Sequence, residues 1–84
     1  MKIGYLLDIL KPHQPGVDLV ARTLMAIDGV TKVSIKVDEL DQKTASQHIN
    51  IEGIDLSLES ITDVLGSMNC ALHSVDEVNC EEKD

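Results

Sequence analysis

Residues 2–12 read KIGYLLDILKP, an apolar run that contains β-branched and aromatic residues and ends in a proline. This run predicts a β-strand over Lys2 to Leu10, because Pro12 favours an extended preceding residue and closes the strand. From Pro15 to Asp28 the apolar residues recur at intervals of three and four, which predicts an amphipathic helix. Pro15 suits the first turn of that helix, and Gly29 suits a left-handed residue after its end.

The rest of the chain continues with a hairpin, a second helix and a last strand. Apolar residues at every second position predict strands over 33–38 and around Ile49 and Ile51, joined by a turn at 41–44. Ser57 is a good N-cap for a helix whose apolar stripe reaches Met68, and residues 70–78 form the last predicted strand. The order predicts a ferredoxin-like βαββαβ plait, an α+β fold. Its antiparallel sheet has the strand order 4-1-3-2, with both helices on one face.

The length predicts one domain, residues 1–79, followed by a charged tail at 80–84. Tyr5 is the only aromatic residue, so aliphatic side chains must fill the core. Small domains of this kind often gain stability by forming oligomers. Cys70 and Cys80 would lie ~33 Å apart along one strand, too far for the ~7 Å that a disulfide allows.

The chain has 15 acidic against 7 basic residues, a formal net charge of −8. This balance argues against a nucleic-acid partner, which binds through clustered lysine and arginine. No apolar run approaches the ~20 residues that span a bilayer, and the start of the chain lacks the apolar segment of a signal peptide. We therefore expect a cytoplasmic protein without a membrane partner.

Several ionisable residues fall on the face of the predicted sheet that the helices leave open. Period-two alternation sends Asp8, Asp38, His48 and Asp76 to this face. A three-residue turn at 42–44 would pair Asp38 with His48, and the central strands would place Asp8 opposite His48. The sequence thus predicts that Asp8, His48 and Asp38 form a row across three adjacent strands. Their side chains would be close enough to share a cation or hydrogen bonds.

Other candidates lie at the ends of the strands. Lys11, His13, Glu39 and Asp41 are expected at the same end of the sheet as the row. Asp76 and Glu77 are expected toward the opposite end, where only a symmetric oligomer would bring them to Asp8. Carboxylates are the ligands that Ca²⁺ and Mg²⁺ prefer, so the candidate metal ligands are Asp8, Asp38, Glu39, Asp41, Asp76 and Glu77.

The candidate residues for a small ligand are Lys11, His13 and His73. Each candidate also has an ordinary explanation. Asp8 could be a hydrogen-bonded residue of the open face, and His13 a surface residue. His73 is expected to face the helices as a buried neutral side chain.

The apolar residues Leu6, Leu10, Leu72 and Val78 are expected on the open face, where they would form a subunit interface. No glycine-rich phosphate loop, nucleophile elbow or zinc-spaced cluster is present, which disfavours an enzyme. Two alternatives stay open. One is an active site between subunits with His13 or His73 as general base. The other is a regulatory module that senses a small ligand.

Two stretches, LDILKPH at 7–13 and HSVDEV at 73–78, resemble the archaeal family of domain of unknown function 211, as do IEG at 51–53 and the turn at Asp41. The resemblance covers roughly residues 3 to 78. It implies a ferredoxin-like fold, subunits in closed rings, no established activity and bound divalent cations, with calcium the expected ion. Family-typical positions are Asp8, His13, Glu39, Asp41, His73, Asp76 and Glu77. His48 departs from the pattern, since lysine is more usual there. We expect a non-enzymatic ring-forming homo-oligomer that binds a divalent cation or a small ligand.

Overall fold

The computed structural model describes residues 1–82 and has six elements in the predicted order. These are β1 (Lys2–Pro12), α1 (Val17–Met25), β2 (Val30–Leu40), β3 (Thr44–Ile54), α2 (Leu58–Ser67) and β4 (Ala71–Glu81). The strands form one antiparallel sheet in the order β2-β3-β1-β4, which is the predicted order read from the other edge. The ferredoxin-like fold is confirmed. Within the described residues, neither helix is long and apolar enough to cross a membrane.

The bounds of several elements differ from the prediction, and β2 (Val30–Leu40) is longer at both ends than the predicted 33–38. β1 continues to Pro12, and α1 is shorter at both ends because Gly16 is its N-cap and Ala26 its C-cap. β4 continues beyond the predicted end at Val78 to Glu81, since its last residues still pair with the start of β1. The predicted tail therefore begins inside this strand, and residues 83–84 lie outside the described part of the chain.

An aliphatic core lies between the sheet and the helices, as the alternation predicts. The central strands contribute Leu7, Ile9, Ile49 and Ile51, all completely buried. The helices cover them with fully or almost fully buried side chains of their own, namely Val20, Leu24, Ile61 and Leu65. The N-cap prediction for Ser57 is confirmed, because its hydroxyl oxygen accepts a hydrogen bond from the Ser60 backbone N–H.

The apolar residues of β4 do not lie where the sequence predicts. Leu72 and Val78 pair with Ile9 and Tyr5, whose side chains belong to the core, so they share the helix-facing side. The open-face prediction for Leu72 and Val78 is wrong. β4 is an outer strand, and the helices leave Val78 53% exposed.

Candidate functional site

His48 lies at the centre of a polar cluster on the open face of the sheet. Asp8 on β1 is directly opposite His48 on β3, as predicted. The His48 Nε2 atom is 3.0 Å from Oδ2 of Asp76, and its Nδ1 atom is hydrogen-bonded to Oδ2 of Asp38. The Ser74 hydroxyl donates a hydrogen bond of 2.6 Å to Oδ1 of Asp76. We call the four residues Asp8, Asp38, His48 and Asp76 the open-face cluster.

The geometry of the cluster favours a protonated imidazole at His48. Both ring nitrogens of His48 face carboxylate oxygens, and only the imidazolium form has two N–H donors. The hydrogen bond with Asp38, followed by that with Asp76, raises the pKa of His48 above its ordinary value of 6.5. The Ser74 hydroxyl, followed by His48, lowers the pKa of Asp76 below 3.8. His48 and Asp76 therefore each stabilise the charged form of the other.

Asp38 reaches His48 from an irregularity in β2. Val37 pairs with Gln47 and Glu39 pairs with Ser46, so Asp38 is one extra residue opposite the junction between them. The predicted direct pairing of Asp38 with His48 is wrong, because Lys36, two residues before Asp38, stands opposite His48. A β-bulge of this kind re-aims a side chain, and here Asp38 still contacts the imidazole.

Asp76 enters the cluster from a second irregularity, in β4. Leu6 pairs with Glu77 and Leu7 pairs with Val75, which leaves Asp76 as the extra residue between them. The expectation that Asp76 lies too far from Asp8 within one subunit is therefore wrong. The two carboxylates meet at His48 without a second copy of the chain.

His73 lies at a third irregularity, also in β4. Asp8 pairs with Ser74 and Ile9 pairs with Leu72, and His73 is the extra residue between these two pairs. The prediction of a buried, helix-facing His73 is wrong, because the side chain is exposed. It lines a small surface depression together with Asp8.

The sequence contains a signal for the two β4 irregularities that simple alternation misses. The apolar residues Leu72, Val75 and Val78 are three positions apart, whereas a regular strand repeats every two. An extra residue in each interval restores the alternation and keeps the apolar side chains on one face. Three-residue spacing in a strand thus indicates where His73 and Asp76 are inserted.

The first loop and the β2–β3 turn meet at one end of the sheet, as predicted. The His13 Nε2 atom is 2.7 Å from the backbone oxygen of Asp41. Lys11 is 2% exposed, and its ammonium donates to the carbonyl oxygens of Pro12 and Pro15 at 2.6 and 2.7 Å. These bonds assign Lys11 to closing the loop.

The other predicted carboxylate ligands are not part of the open-face cluster. Glu77 accepts a hydrogen bond of 2.8 Å from the Asn79 side-chain amide. Asp41 accepts from the Lys43 backbone N–H at 3.4 Å within its turn. Glu39, next to Asp38, pairs with Ser46 in the ladder. The structure thus brings together three of the six predicted carboxylates.

Three residues of the cluster are close enough together to hold one metal ion. Asp8, His48 and Asp76 each offer one ligand atom, and these atoms all lie within 4.8 Å of one another. Asp38 holds the opposite ring nitrogen of His48, which is how carboxylates orient metal-ligating histidines. One imidazole with two carboxylates suits Zn²⁺ or Mn²⁺, whereas Ca²⁺ prefers oxygen ligands alone.

Two depressions lie on this side of the sheet. The one beside the cluster has a volume of about 260 Å³ and is lined by Asp8, Ser46 and His73, among others. A larger one of about 320 Å³ surrounds Gly4 at the other end of the strands and contains no histidine. We place the candidate site at the smaller depression, because it adjoins the residues with metal-binding geometry.

Comparison with known proteins places the chain in one family. A family model described as uncharacterized ArCR, for domain of unknown function 211, matches residues 4–83. An uncharacterised protein of Methanocaldococcus jannaschii is 36% identical over 77 residues, which span 92% of this chain and 79% of the relative. The family match covers the motifs at 7–13 and 73–78 that carry Asp8, His73 and Asp76. The chain therefore belongs to the family of domain of unknown function 211.

Proposed function

We propose that this protein is a non-enzymatic, self-assembling domain that binds one divalent cation per subunit at Asp8, His48 and Asp76. The observation that carries the proposal is the convergence of three donor atoms within 4.8 Å, with Asp38 on the far side of the imidazole. The cation would take the place of the proton between Nε2 of His48 and the Asp76 carboxylate. Binding would then relieve the repulsion among three neighbouring carboxylates.

The contacts of His48 and His13 favour binding over catalysis at these two residues. A general base needs a free ring nitrogen within reach of its substrate. Both nitrogens of His48 contact carboxylates, and His13 Nε2 is held by the Asp41 carbonyl oxygen. His73 lines the depression beside Asp8, where it is positioned to contact a small ligand or water on the bound cation.

Self-assembly is supported by apolar side chains on both outer strands. Val75 and Val78 on β4 are 38% and 53% exposed, and Val37 and Leu40 on β2 are 44% and 68% exposed. Apolar surface of this kind on a small domain commonly marks a subunit interface. We propose a closed ring, in which cyclic symmetry repeats the cation site once per subunit.

The cation proposal is tested by isothermal titration and native mass spectrometry of chelator-treated protein with Zn²⁺, Mn²⁺, Mg²⁺ and Ca²⁺. We expect one ion per subunit, with Zn²⁺ or Mn²⁺ bound more tightly than Ca²⁺. Asp8→Asn should lower the affinity at least about tenfold, and Asp38→Asn should lower it by about 10- to 100-fold. Glu39→Gln is the matched control, since Glu39 neighbours Asp38 but lies outside the cluster.

Two results would contradict the proposal. One is the absence of stoichiometric binding for all four ions, and the other is equal affinity in Asp8→Asn and Glu39→Gln. Because the donors come from one subunit, chelation should remove the ion and leave the mass of the assembly unchanged. A ring that dissociates with the ion would instead place the ligands between subunits.

A further inference from the structure

The sheet ends in two long outer strands that are suited to each other. β2 and β4 each have 11 residues and form the two edges of the sheet. All neighbouring strands are antiparallel, so β2 and β4 run in opposite directions. A second copy in the same orientation would therefore bring its β2 antiparallel to β4 of the first. Exposed edges are templates for such pairing.

The charges on the two edges are complementary on the open face. Lys32 and Lys36 of β2 pair with Glu52 and His48 of β3, which places both lysines on that face. Within residues 1–82, neither lysine takes part in an ion pair. The β2 edge thus carries two unpaired cations four residues apart.

The β4 edge presents the matching anions. Glu77 and Glu81 pair with Leu6 and Lys2 of β1, so they lie on the same open face as the two lysines. They are also four residues apart, and the described part of the chain gives neither of them a salt bridge. Equal spacing means that one alignment of the strands can join both pairs.

We propose that copies of this chain join head to tail through these edges. In the proposed alignment, Lys36 stands opposite Glu77 of the next copy and Lys32 opposite Glu81. This inference rests on the proposed self-assembly and names the surfaces that carry it. A slip of one residue would send the lysines to the helix side, and a slip of two would separate both ion pairs.

The same alignment also matches the apolar side of the sheet. It places Ile35 opposite Val78 and Val33 opposite Cys80. Val33 and Ile35 pack on the edge of the core and are only partly buried, while Val78 and Cys80 are exposed. Pairing would cover these side chains and continue the antiparallel sheet from one copy to the next. Each copy offers two different edges, so the contacts repeat until the ring closes.

Disulfide trapping tests this alignment with a single substitution, Val33→Cys, and the native thiol of Cys80. Cys80 is free and exposed. Within one subunit the two positions lie on strands three spacings apart, roughly 14 Å, so an intrachain bridge cannot form. Between copies they would be directly opposite, within disulfide range. Oxidation should shift the protein from monomer to covalent oligomers on non-reducing electrophoresis, and peptide mass spectrometry should find the bridge at position 33.

Two controls make the result specific. Ser34→Cys neighbours position 33 on the opposite face of β2 and should give only traces of cross-linked product. Val33→Cys combined with Cys80→Ser should give no bridge at position 33. Equal cross-linking in Val33→Cys and Ser34→Cys would overturn the proposed alignment. It would mean that the disulfides form by random collisions between molecules and not within a fixed pairing of strands.

Charge reversal tests the proposed pairing of β2 with β4 of the next copy without introducing a cysteine. Lys32→Glu with Lys36→Glu should shift the native mass toward monomer, and adding Glu77→Lys with Glu81→Lys should restore the assembly. Lys43→Glu in the β2–β3 turn is the matched control. The protein could assemble without forming the disulfide at position 33 and without responding to charge reversal. That result would overturn the proposed pairing of β2 with β4 but not the proposed self-assembly. A monomer at all concentrations overturns both, while ion titration still measures the cation site separately.

Discussion

Leu7 and Asp8 are neighbours on β1, and their side chains point to opposite faces of the sheet. Leu7 is completely buried among aliphatic residues from both helices and the central strands. Asp8 lies in the open-face cluster, where His48, Asp38 and Asp76 are each about one third exposed. The helix-facing side therefore supplies most of the stability, and the open face can carry charges whose role is binding. Substitutions should separate these two contributions.

The largest expected effect is on the helix-facing side. Leu7→Ala leaves a cavity in a completely buried position and should lower the free energy of unfolding by about 2–5 kcal/mol. Asp8→Asn, one residue away, should change it by less than about 1 kcal/mol in metal-free protein. Urea unfolding followed by circular dichroism measures both. Similar losses for the two variants would show that the faces are not energetically distinct.

One polar side chain, that of Gln47, lies among the apolar residues of the helix-facing side. Gln47 is completely buried, and neither its Nε2 nor its Oε1 atom has a hydrogen-bond partner among the described residues. Gln47→Leu removes the unpaired amide and should raise the free energy of unfolding by about 1–2 kcal/mol. Lys11→Met is the contrasting variant, because the ammonium of Lys11 is bonded to carbonyl oxygens. Lys11→Met should lower the free energy of unfolding. A lower free energy of unfolding in Gln47→Leu as well would indicate that the Gln47 amide has a hydrogen-bond partner.

The smallest expected effect is the pH dependence of the open face. The pKa of His48 is raised in the folded protein, so the stability that His48 contributes is fully present below the ordinary pKa of 6.5. It is lost as the pH rises through the raised value, because the folded state then releases a proton that the unfolded state has already lost. Asp76 has a lowered pKa, so its contribution is present above 3.8 and is lost as the pH falls through the lowered value.

Metal-free protein should therefore unfold at progressively lower urea concentration as the pH rises above about 6.5. The measurement is the urea midpoint between pH 5 and pH 9 with a chelator present. His48→Gln lacks the titrating group and should lose this part of the decline. An identical decline in wild type and His48→Gln would remove His48 as its cause.

The fold could be predicted because its signals are local and agree with each other. The alternation in β2 and β3, the helical spacing after Pro15 and the N-cap at Ser57 each specify one element. The pairing of Asp8 with His48 followed from the same alternation and was confirmed. The strand ends were harder to predict, since β4 continues to Glu81 only because β1 offers it partners.

The rest of the site depends on inserted residues, which alternation does not describe. Asp38, His73 and Asp76 each stand where a strand has one residue more than its partner. A regular pairing carried past such a point misplaces every later side chain, which explains the wrong positions expected for Asp76 and His73. His48 is the member of the site that the sequence predicts correctly, because its strand is regular where it pairs with Asp8.

The inserted position of Asp76 also has a genetic consequence. The pairs on either side of it, Leu6 with Glu77 and Leu7 with Val75, are complete without Asp76. A deletion of the single codon for Asp76 would therefore close the ladder and remove one donor from the cluster, while the core residues keep their places. Ligands added at such positions can be gained or lost by one insertion or deletion event, without any change to the fold that carries them.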